Sequence, residues 1–404
     1  MKKSLLIIAM TVLFSAISCV TTQDAAKRIE DSKPAAEALR AGKFTEALNL
    51  SGKAIGRDGG NCYAFMARAI ARYVAAGQRM SVDIAFVRFR GSRRRGIDLE
   101  YLREAVRRMV AEFVQVDSDL EKASRCDDVF LDLAPALWMI DWNGDGDIDS
   151  RDRSLLEIEL DADGKKLSED DPRRRPLYRY DVGDVHWARA FVNFQMAALN
   201  IALAYDWSII NTLMTDGFRG LIEIRIKMLD KTLIALARKE ILTGLECAEQ
   251  ARLAYLAETD DEREWVPNPR QKNHPMPLPV DEELYKTWDG VLKDVRKLVT
   301  GEEGLRLADV ADLAQLKMDP MPLGYLDFGR MFDRPKDIVI NLNELVMLEH
   351  SRDLEGMLRT VFGEYYCCGK KPSLITSRLK RMKGEIDRGL EPFGRKLKYL
   401  LWLN

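Results

Sequence analysis

The stretch that decides the fold reads Asp184-Val-His-Trp-Ala-Arg-Ala-Phe-Val-Asn-Phe-Gln-Met-Ala-Ala-Leu-Asn-Ile-Ala-Leu-Ala-Tyr205. Its large apolar side chains lie on nearly every side of a helix instead of along one stripe. A helix of this kind is either buried on all sides or placed in a membrane. Because polar side chains such as Arg189 and Asn200 interrupt it, we predict a central core helix over residues 185–205, with Asp184 as its N-cap.

Apolar residues at helical spacing also predict the elements on either side of the central helix. The expected helices cover residues 99–124, 127–140, 220–256, 281–299, 305–316, 337–350, 354–362 and 373–404. Five prolines exclude a helix from the loop at 265–279. No sustained two-residue alternation bounded by hairpin turns occurs, so the predicted class is all-α. We expect helical hairpins followed by a helical domain around the buried central helix.

The composition sets limits on the function. The chain has 404 residues, with 62 Lys and Arg against 64 Asp and Glu, which gives a formal net charge of −2. Such a balance provides no general attraction to nucleic acid or to an anionic membrane. Hydrophobic residues make up 47% of the chain, enough for a sizeable core. Three His and six Cys leave little material for a His-based metal site or a dense disulfide scaffold.

The N-terminus carries a targeting signal. Lys2 and Lys3 precede an apolar run at 5–17, which has the length of a signal-peptide core and is short for a membrane-spanning helix. The run ends at Ala16-Ile-Ser-Cys19, which resembles the lipobox of bacterial lipoproteins. The resemblance implies a signal peptide at 1–18, cleavage before Cys19 and lipid chains on Cys19. We therefore expect a protein of the bacterial cell envelope, held by its lipid anchor on a periplasmic or outer-surface face.

The segment after residue 40 resembles a tetratricopeptide repeat (TPR). Phe44, Ala47 and Ala54 stand at the spacings where an aromatic and two small residues let paired helices approach closely in that repeat. A generic helical hairpin with the same packing is the alternative. The expected divisions are a tether at 19–34, a TPR-like helical region at 35–160, a charged linker at 161–180 and an α-helical domain at 181–404.

The clearest motif is the twelve-residue run Asp141-Trp-Asn-Gly-Asp-Gly-Asp-Ile-Asp-Ser-Arg-Asp152. It has the spacing of a calcium-binding loop, in which a hard cation takes oxygen ligands. The candidate ligands are Asp141, Asn143, Asp145, Asp147 through its backbone carbonyl, Asp149 through a water molecule, and Asp152. Gly146 permits the sharp turn, and Ile148 is expected to anchor the loop to the core. The final Asp in place of Glu makes the loop similar to dockerin-type repeats of the EF-hand kind, which implies structural Ca²⁺.

The cysteines other than Cys19 form an odd-numbered set. They are Cys62, Cys126, Cys247, Cys367 and Cys368. In an oxidising compartment, buried thiols or one ordinary bridge such as Cys62 to Cys126 are the plain interpretation. A vicinal disulfide between Cys367 and Cys368 is the redox alternative. Spacing alone leaves the pairing open.

A basic cluster at 88–95 is the candidate surface for a partner. It consists of Arg88, Arg90, Arg93, Arg94 and Arg95. Such a cluster binds an acidic partner or anionic lipid headgroups, or it is a solvated loop. Nucleic acid is not an expected partner in this compartment.

The function predicted from the sequence is non-catalytic. We expect a calcium-stabilised envelope lipoprotein that binds a partner protein or acts as a scaffold. One alternative is a ligand-binding accessory lipoprotein of a solute transporter, which requires a pocket lined by the central helix. Another is an envelope hydrolase, which requires His186 to face a cleft with carboxylates. The chain contains no nucleophile elbow, phosphate-binding loop or dinucleotide fingerprint, so no catalytic residue is predicted.

Overall fold

The computed structural model describes residues 24–94, 96–141, 144–149, 152, 157–159, 161, 165–274, 280–313, 324–351, 353–367 and 369–387, with backbone alone at 88–94 and 383–387. Three predicted site residues, Cys19, Asn143 and Arg95, lie outside these ranges. The side chains of the other four arginines of the basic cluster lie outside the described part as well.

Thirteen helices make up most of the described chain, which confirms the all-α class. They are α1 (24–40), α2 (Phe44–Arg57), α3 (Cys62–Arg94), α4 (Leu99–Ala123), α5 (Val182–Ala204), α6 (Ile209–Asp216), α7 (Lys231–Ala257), α8 (Glu282–Thr300), α9 (Leu307–Leu313), α10 (Phe328–Asp333), α11 (Leu342–Ser351), α12 (Leu354–Phe362) and α13 (Ile375–Asp387). Short 3₁₀ turns lie at Pro135–Leu137, Pro172–Arg174 and Gly363–Tyr365.

Three small antiparallel sheets accompany the helices. Their strands are β1 (Leu131–Leu133), β2 (Tyr178–Tyr180), β3 (Glu223–Ile226), β4 (Leu305–Arg306), β5 (Tyr325–Leu326), β6 (Ile338–Asn341) and β7 (Tyr366–Cys367). The pairings are β1 with β2, β3 with β6, and β4 with β5 with β7. Each strand is two to four residues long, so the sheets join segments of the chain and do not form a layer of their own.

The predicted central helix is α5, and it belongs to two cores at once. Val185 and Met196 are buried with side chains of α3 and α4. Trp187 and Ala190, on another face, are buried with side chains of α7 and α8. At Gly244 of α7 a β-carbon would lie 2.6 Å from the Phe194 ring, so only glycine lets the two helices approach this closely. Within the described residues no helix has both the length and the hydropathy to cross a bilayer.

The N-terminal helices are held together by a disulfide and an ion pair. Cys62 at the start of α3 is bonded to Cys126 just after α4, with their Cα atoms 6.2 Å apart. Arg68 of α3 donates two hydrogen bonds to the Asp119 carboxylate of α4, at 2.6 and 2.8 Å. Cys247 and Cys367 are free thiols, and Cys368 lies outside the described residues. Of the pairings that the sequence left open, the structure contains the disulfide between Cys62 and Cys126.

Helix α1 includes much of the segment predicted as a tether. Residues 24–34 are helical, and the buried Ser32 hydroxyl donates to Asn61 at 2.9 Å. Arg28 pairs with Asp58 at 2.8 Å. These polar contacts dock this part of α1 on the turn between α2 and α3, so residues 24–34 of the predicted tether belong to a packed helix. On α2, Phe44, Ala47 and Ala54 are buried.

Several predicted helices are partly strands. Residues 127–140 form β1 and a 3₁₀ turn, because Val129, Leu131 and Leu133 are buried at alternate positions and Pro135 cannot continue a helix. Residues 338–341 form β6, so the helix predicted from 337 begins at Leu342. The helix predicted from 220 begins at Lys231 for the same reason, since β3 precedes it.

The segment at 161–180, predicted as a linker, is packed where the structure describes it. Leu167 and Tyr178 are buried together with Ile158. Strand β2 pairs with β1 and leads directly into α5. The predicted boundary at 181 therefore does not separate two cores, since α5 is shared by both.

We expect the Cys62–Cys126 bridge to stabilise the fold by about 4 kcal/mol, because it closes a long loop in the unfolded chain. The double variant Cys62→Ser, Cys126→Ser should lose this amount in urea unfolding followed by circular dichroism. Cys367→Ser, which removes a free thiol, is the control and should match the wild type. A reductant that leaves the wild-type midpoint unchanged would contradict the bridge.

Candidate functional site

A cavity of about 300 Å³ lies between α5, α3 and α4. Its wall is almost entirely apolar or aromatic and is completed by the β1 segment, β2 and the loop after α7. The lining residues are Met66, Ala69, Ile70, Tyr73, Val74, Val116, Leu120, Leu133, Pro135, Trp138, Tyr180, Asp184, Val185, Trp187, Ala188, Phe191, Val192 and Trp265. The first half of α5 supplies six of these residues, so the central helix forms one wall of the cavity.

Aromatic rings are prominent in the wall. Six of the lining side chains are aromatic, from Tyr73, Trp138, Tyr180, Trp187, Phe191 and Trp265. The ring centroids of Tyr180 and Trp265 are 5.2 Å apart, and Trp187 follows Asp184 by one helical turn on α5. Tyr180 and Trp265 therefore form one pair of rings in the wall, and Trp187 is the lining ring nearest to Asp184 along α5.

Polar groups are few in the wall. Asp184 is the sole carboxyl in the lining, which contains no Lys, Arg or His. The buried indole N–H of Trp138 has no acceptor among the described residues. The wall therefore contains one carboxyl and no basic side chain.

Asp184 occupies its place because it caps α5. The N-cap is Asp181, whose carboxylate accepts a hydrogen bond from the Gly183 N–H at 2.7 Å. Asp184 is the third residue of the helix, and its Oδ2 accepts from the Asp181 N–H at 3.0 Å. The two form a capping box. The prediction of Asp184 as the N-cap is therefore wrong by three residues. Both aspartates are suitable N-cap residues, and the helix begins after the first of them.

Behind Asp184 lies a cluster of carboxyls, which we call the acid cluster: Asp181, Asp184, Glu258 and Glu264. Tyr255 donates to Asp184 Oδ1 at 2.8 Å. Carboxylate oxygens of Asp181, Glu258 and Glu264 lie within 4.8 Å of one another. At this spacing three carboxyls hold either a metal ion or shared protons.

Burial raises the pKa of every member of the acid cluster. It raises the pKa of Glu258 to about 10, and the neighbouring Asp181 carboxylate adds to the increase. It raises the pKa of Glu264 to about 7. The pKa of the fully enclosed Asp184 is well above its ordinary value, through burial first and the Asp181 charge second. Without another cation, protons neutralise this cluster.

Among the described residues, the acid cluster lacks the basic partner that several other buried carboxyls have. Asp119, Asp294 and Asp327 are paired with Arg68, Arg378 and Lys370 respectively. Within the described ranges, no Lys or Arg forms an ion pair with Asp181, Asp184, Glu258 or Glu264; Gln271 is the neutral donor to Glu258, at 3.1 Å. The cluster therefore has room, electrostatically, for a positive charge.

The predicted calcium loop is described at Asp141, 144–149 and Asp152. The Asp141 carboxylate accepts from the N–H groups of Gly144 and Gly146 at 2.6 and 2.9 Å. Both glycines have positive φ, and a β-carbon at Gly144 would lie 2.6 Å from the Ser81 carbonyl of α3. The loop is thus folded around Asp141 and docked on α3.

The far end of the loop is held by Asp152, which is 2% exposed. Its Oδ2 accepts from the Asp149 N–H at 3.1 Å. Asp145 and Asp147 are exposed. Ile148 is 41% exposed, so the expectation that it anchors the loop to the core is wrong; the contact of Gly144 with α3 has that role.

His186, the residue on which the hydrolase alternative depends, does not line the cavity. Burial lowers the pKa of this imidazole, and the Arg189 charge lowers it further. Asp127 is the carboxylate that acts in the opposite direction. The imidazole is therefore separate from the acid cluster.

Sequence reasoning missed both the cavity and the acid cluster. The run Glu258-Thr-Asp-Asp-Glu-Arg-Glu264 is conspicuously acidic and was the available signal for one half of the cluster. Its partners at 181 and 184 are more than seventy residues away along the chain, and only the pairing of α5 with α7 brings them together.

No protein-family model matches the chain, and neither the curated proteins nor the solved structures contain a significant match.

The raised pKa of Glu264 predicts a loss of stability as pH rises. Between its ordinary pKa near 4.5 and the folded value of about 7, the folded protein binds more protons than the unfolded chain, so unfolding becomes easier. Glu264→Gln removes this contribution and keeps the acceptor for the Glu262 N–H. The fall in unfolding free energy from pH 5 to pH 8 should shrink by about 2 kcal/mol.

Urea unfolding at both pH values, in constant calcium, measures this difference. Glu169→Gln, at an exposed position, serves as the control and should behave as the wild type. An identical pH dependence in Glu264→Gln and the wild type would contradict the raised pKa.

Proposed function

We propose that this chain is a non-catalytic binding protein for a small, largely apolar molecule held between α3, α4 and α5. The carrying observation is the cavity of about 300 Å³ lined by the first half of α5. Among the interpretations of the sequence, this favours the ligand-binding accessory lipoprotein of a solute transporter over the protein scaffold.

The size of the cavity supports a ligand. Protein interiors are close-packed, with few voids larger than a water molecule. A concave apolar wall of this size leaves apolar surface in contact with water, which is unfavourable. The cavity lies within the size range of small-molecule sites, which are concave, mostly apolar and bear few polar groups. An apolar molecule bound there would remove this surface from water.

The proposed location is the bacterial cell envelope, with Cys19 as the lipid-bearing residue. The Cys62–Cys126 disulfide supports it, because such bonds persist in oxidising compartments outside the cytosol. The signal-like N-terminus and lipobox-like Ala16-Ile-Ser-Cys19 support the anchor. An envelope protein that holds an apolar solute fits the delivery of that solute to a transporter.

A neutral apolar fluorophore, N-phenyl-1-naphthylamine, tests the proposal. The wild type should bind it with an increase in fluorescence, because the dye leaves water for an apolar wall. Ala188→Phe places a ring in the cavity and should weaken binding about tenfold or more, the loss that about 1.4 kcal/mol of steric cost produces. The readout is a fluorescence titration, with circular dichroism to verify folding.

The matched control is Ala198→Phe, which adds the same ring at an exposed position of the same helix. It should bind as the wild type does. Ala69→Leu, on the opposite wall, is a second cavity-filling variant and should also weaken binding. Equal binding in Ala188→Phe, Ala69→Leu and the wild type would reject the cavity as the binding site.

Binding of a partner protein is the second candidate function. The observation in its favour is a set of exposed apolar side chains around α6, β3 and α11, since exposed patches of this kind mark interaction sites. They are Met214, Phe218, Ile222, Val346 and Met347. The basic cluster at 88–95 remains a proposed partner surface. An accessory protein of a transporter requires a protein partner in addition to its ligand, so the two functions are compatible.

We further propose that the loop at 141–152 binds Ca²⁺ in a structural role. Asp141, Asp145, Asp149 and Asp152, with the Asp147 carbonyl and Asn143, would supply the oxygen ligands that this hard cation prefers. The folding of the loop around the Asp141 carboxylate and its close contact with α3 support the proposal. Bound calcium would neutralise the clustered carboxylates and fix the loop on α3.

Calcium should therefore raise the melting temperature of the wild type relative to chelator, since a ligand that binds only the folded state stabilises it. Asp141→Ala should abolish the shift. Asp170→Ala, an exposed aspartate outside the loop, should retain it. Differential scanning fluorimetry in millimolar calcium and in EGTA measures all three proteins. Identical wild-type melts under both conditions would contradict the calcium site.

A further inference from the structure

We propose that the cavity selects a small organic amine in its protonated form, with Asp184 as the counter-ion and the surrounding aromatic rings as the seat of the apolar body. The inference rests on the proposed function, because it names the chemical class of the ligand that occupies the same cavity. Three observations carry it: the sign of the charge in the wall, the missing basic partner and the aromatic lining.

The first observation is the charge. Asp184 is the one carboxyl in the lining, and no basic side chain accompanies it there. Asp181, Glu258 and Glu264 lie behind it. An anionic ligand would be buried beside the acid cluster, and the lining contains no basic side chain to compensate its charge. Burying a charge without a partner is costly, so acids are excluded.

The second observation is the missing partner. Several buried carboxyls elsewhere in the fold pair with an Arg, as Asp119 and Asp294 do, while the single buried Glu240 is held by the Asn200 amide. The acid cluster has none among the described residues. Each Asp184 oxygen already accepts one hydrogen bond, from Tyr255 or from the Asp181 N–H, and a carboxylate oxygen can accept a second. An ammonium group can therefore bind Asp184 without displacing the two hydrogen bonds that the carboxylate already accepts.

The third observation is the aromatic wall. Tyr180, Trp187 and Trp265 line the cavity together with Asp184, and the ring centroids of Tyr180 and Trp265 are 5.2 Å apart. The face of an aromatic ring attracts a cation, and the attraction is larger in a desolvated site. The same rings bury the apolar body of the ligand. A carboxylate beside aromatic faces thus suits an amine on a hydrocarbon or aromatic body better than it suits a neutral molecule.

The acid cluster also makes the selection depend on pH. The groups that face Asp184 are Asp181 from α5, Tyr180 from β2, Tyr255 and Glu258 from α7, Glu264 from the following loop, and Tyr285 from α8. All are acids, and burial raises their pKa values. At low pH the carboxyls are protonated and neutral, so the preference for a cation is lost; it returns as pH rises.

Three competitors with one naphthalene body test the inference: 1-naphthylmethylamine, 1-naphthalenemethanol and 1-naphthoate. Each is titrated against N-phenyl-1-naphthylamine bound to the wild-type protein at pH 8. The amine should displace the dye at about tenfold lower concentration than the alcohol, and the acid should need at least about tenfold more, each tenfold step being about 1.4 kcal/mol. Displacement by the alcohol alone, or equally by amine and acid, would overturn the inference and leave the proposed function standing.

The variant Asp184→Asn should remove the advantage of the amine and leave the alcohol within about twofold of its wild-type value, since the amide is neutral and of the same size. Asp170→Asn is the matched control and should keep the wild-type preference. An amine preference that survives in a folded Asp184→Asn protein would overturn the role of Asp184.

The wild type alone supplies a second measurement, which does not depend on the folding of a variant. The ratio of alcohol to amine affinity is measured at pH 5 and pH 8, where the amine stays protonated. The amine should gain about tenfold or more on the alcohol between the two, because seating an ammonium group releases a proton from the acid cluster and that release is favoured at pH 8. An unchanged ratio would overturn the assignment. Failure of the dye itself to bind would instead reject the proposed function.

Discussion

The structure depends on the need to bury α5 on every side. Its apolar side chains leave no face for water, so a single layer of helices cannot cover it. Helices α3 and α4 cover one side, and α7 and α8 cover the other. Without this helix the two halves of the chain would have no shared core. The cavity lies against this helix as well, because the aromatic and small residues of its first turns do not fill the space beside α3.

Burial of the start of α5 has a further consequence. The first N–H groups of a helix lack partners within the helix and must be satisfied when they are removed from water. Asp181 and Asp184 satisfy them through a capping box. The same requirement places the carboxyls of Asp181 and Asp184 deep in the protein. There they lie beside Glu258 and Glu264, from the acidic segment that follows α7. A structural need of the helix thus creates the electrostatic character of the cavity.

The sequence predicted the elements whose signals are local. The central helix, α4, α8 and α12 occur within a few residues of their predicted limits. The apolar periodicity that predicts each of them lies within the segment itself. The strands were missed because β1 at 131–133 gains its partner from 178–180, which periodicity cannot reveal. The cavity and the acid cluster were missed for the same reason. They depend on contacts between α5 and helices far away in the chain, whereas the calcium-loop pattern is contiguous.

The most direct test of this account is a crystal structure of the protein with 1-naphthylmethylamine. The account predicts the naphthalene between α3 and α5, with the amine nitrogen about 2.8 Å from a carboxylate oxygen of Asp184, the distance of a charge-assisted hydrogen bond. A ligand bound elsewhere, or a cavity filled by collapse of the Trp187 and Phe191 side chains, would contradict it.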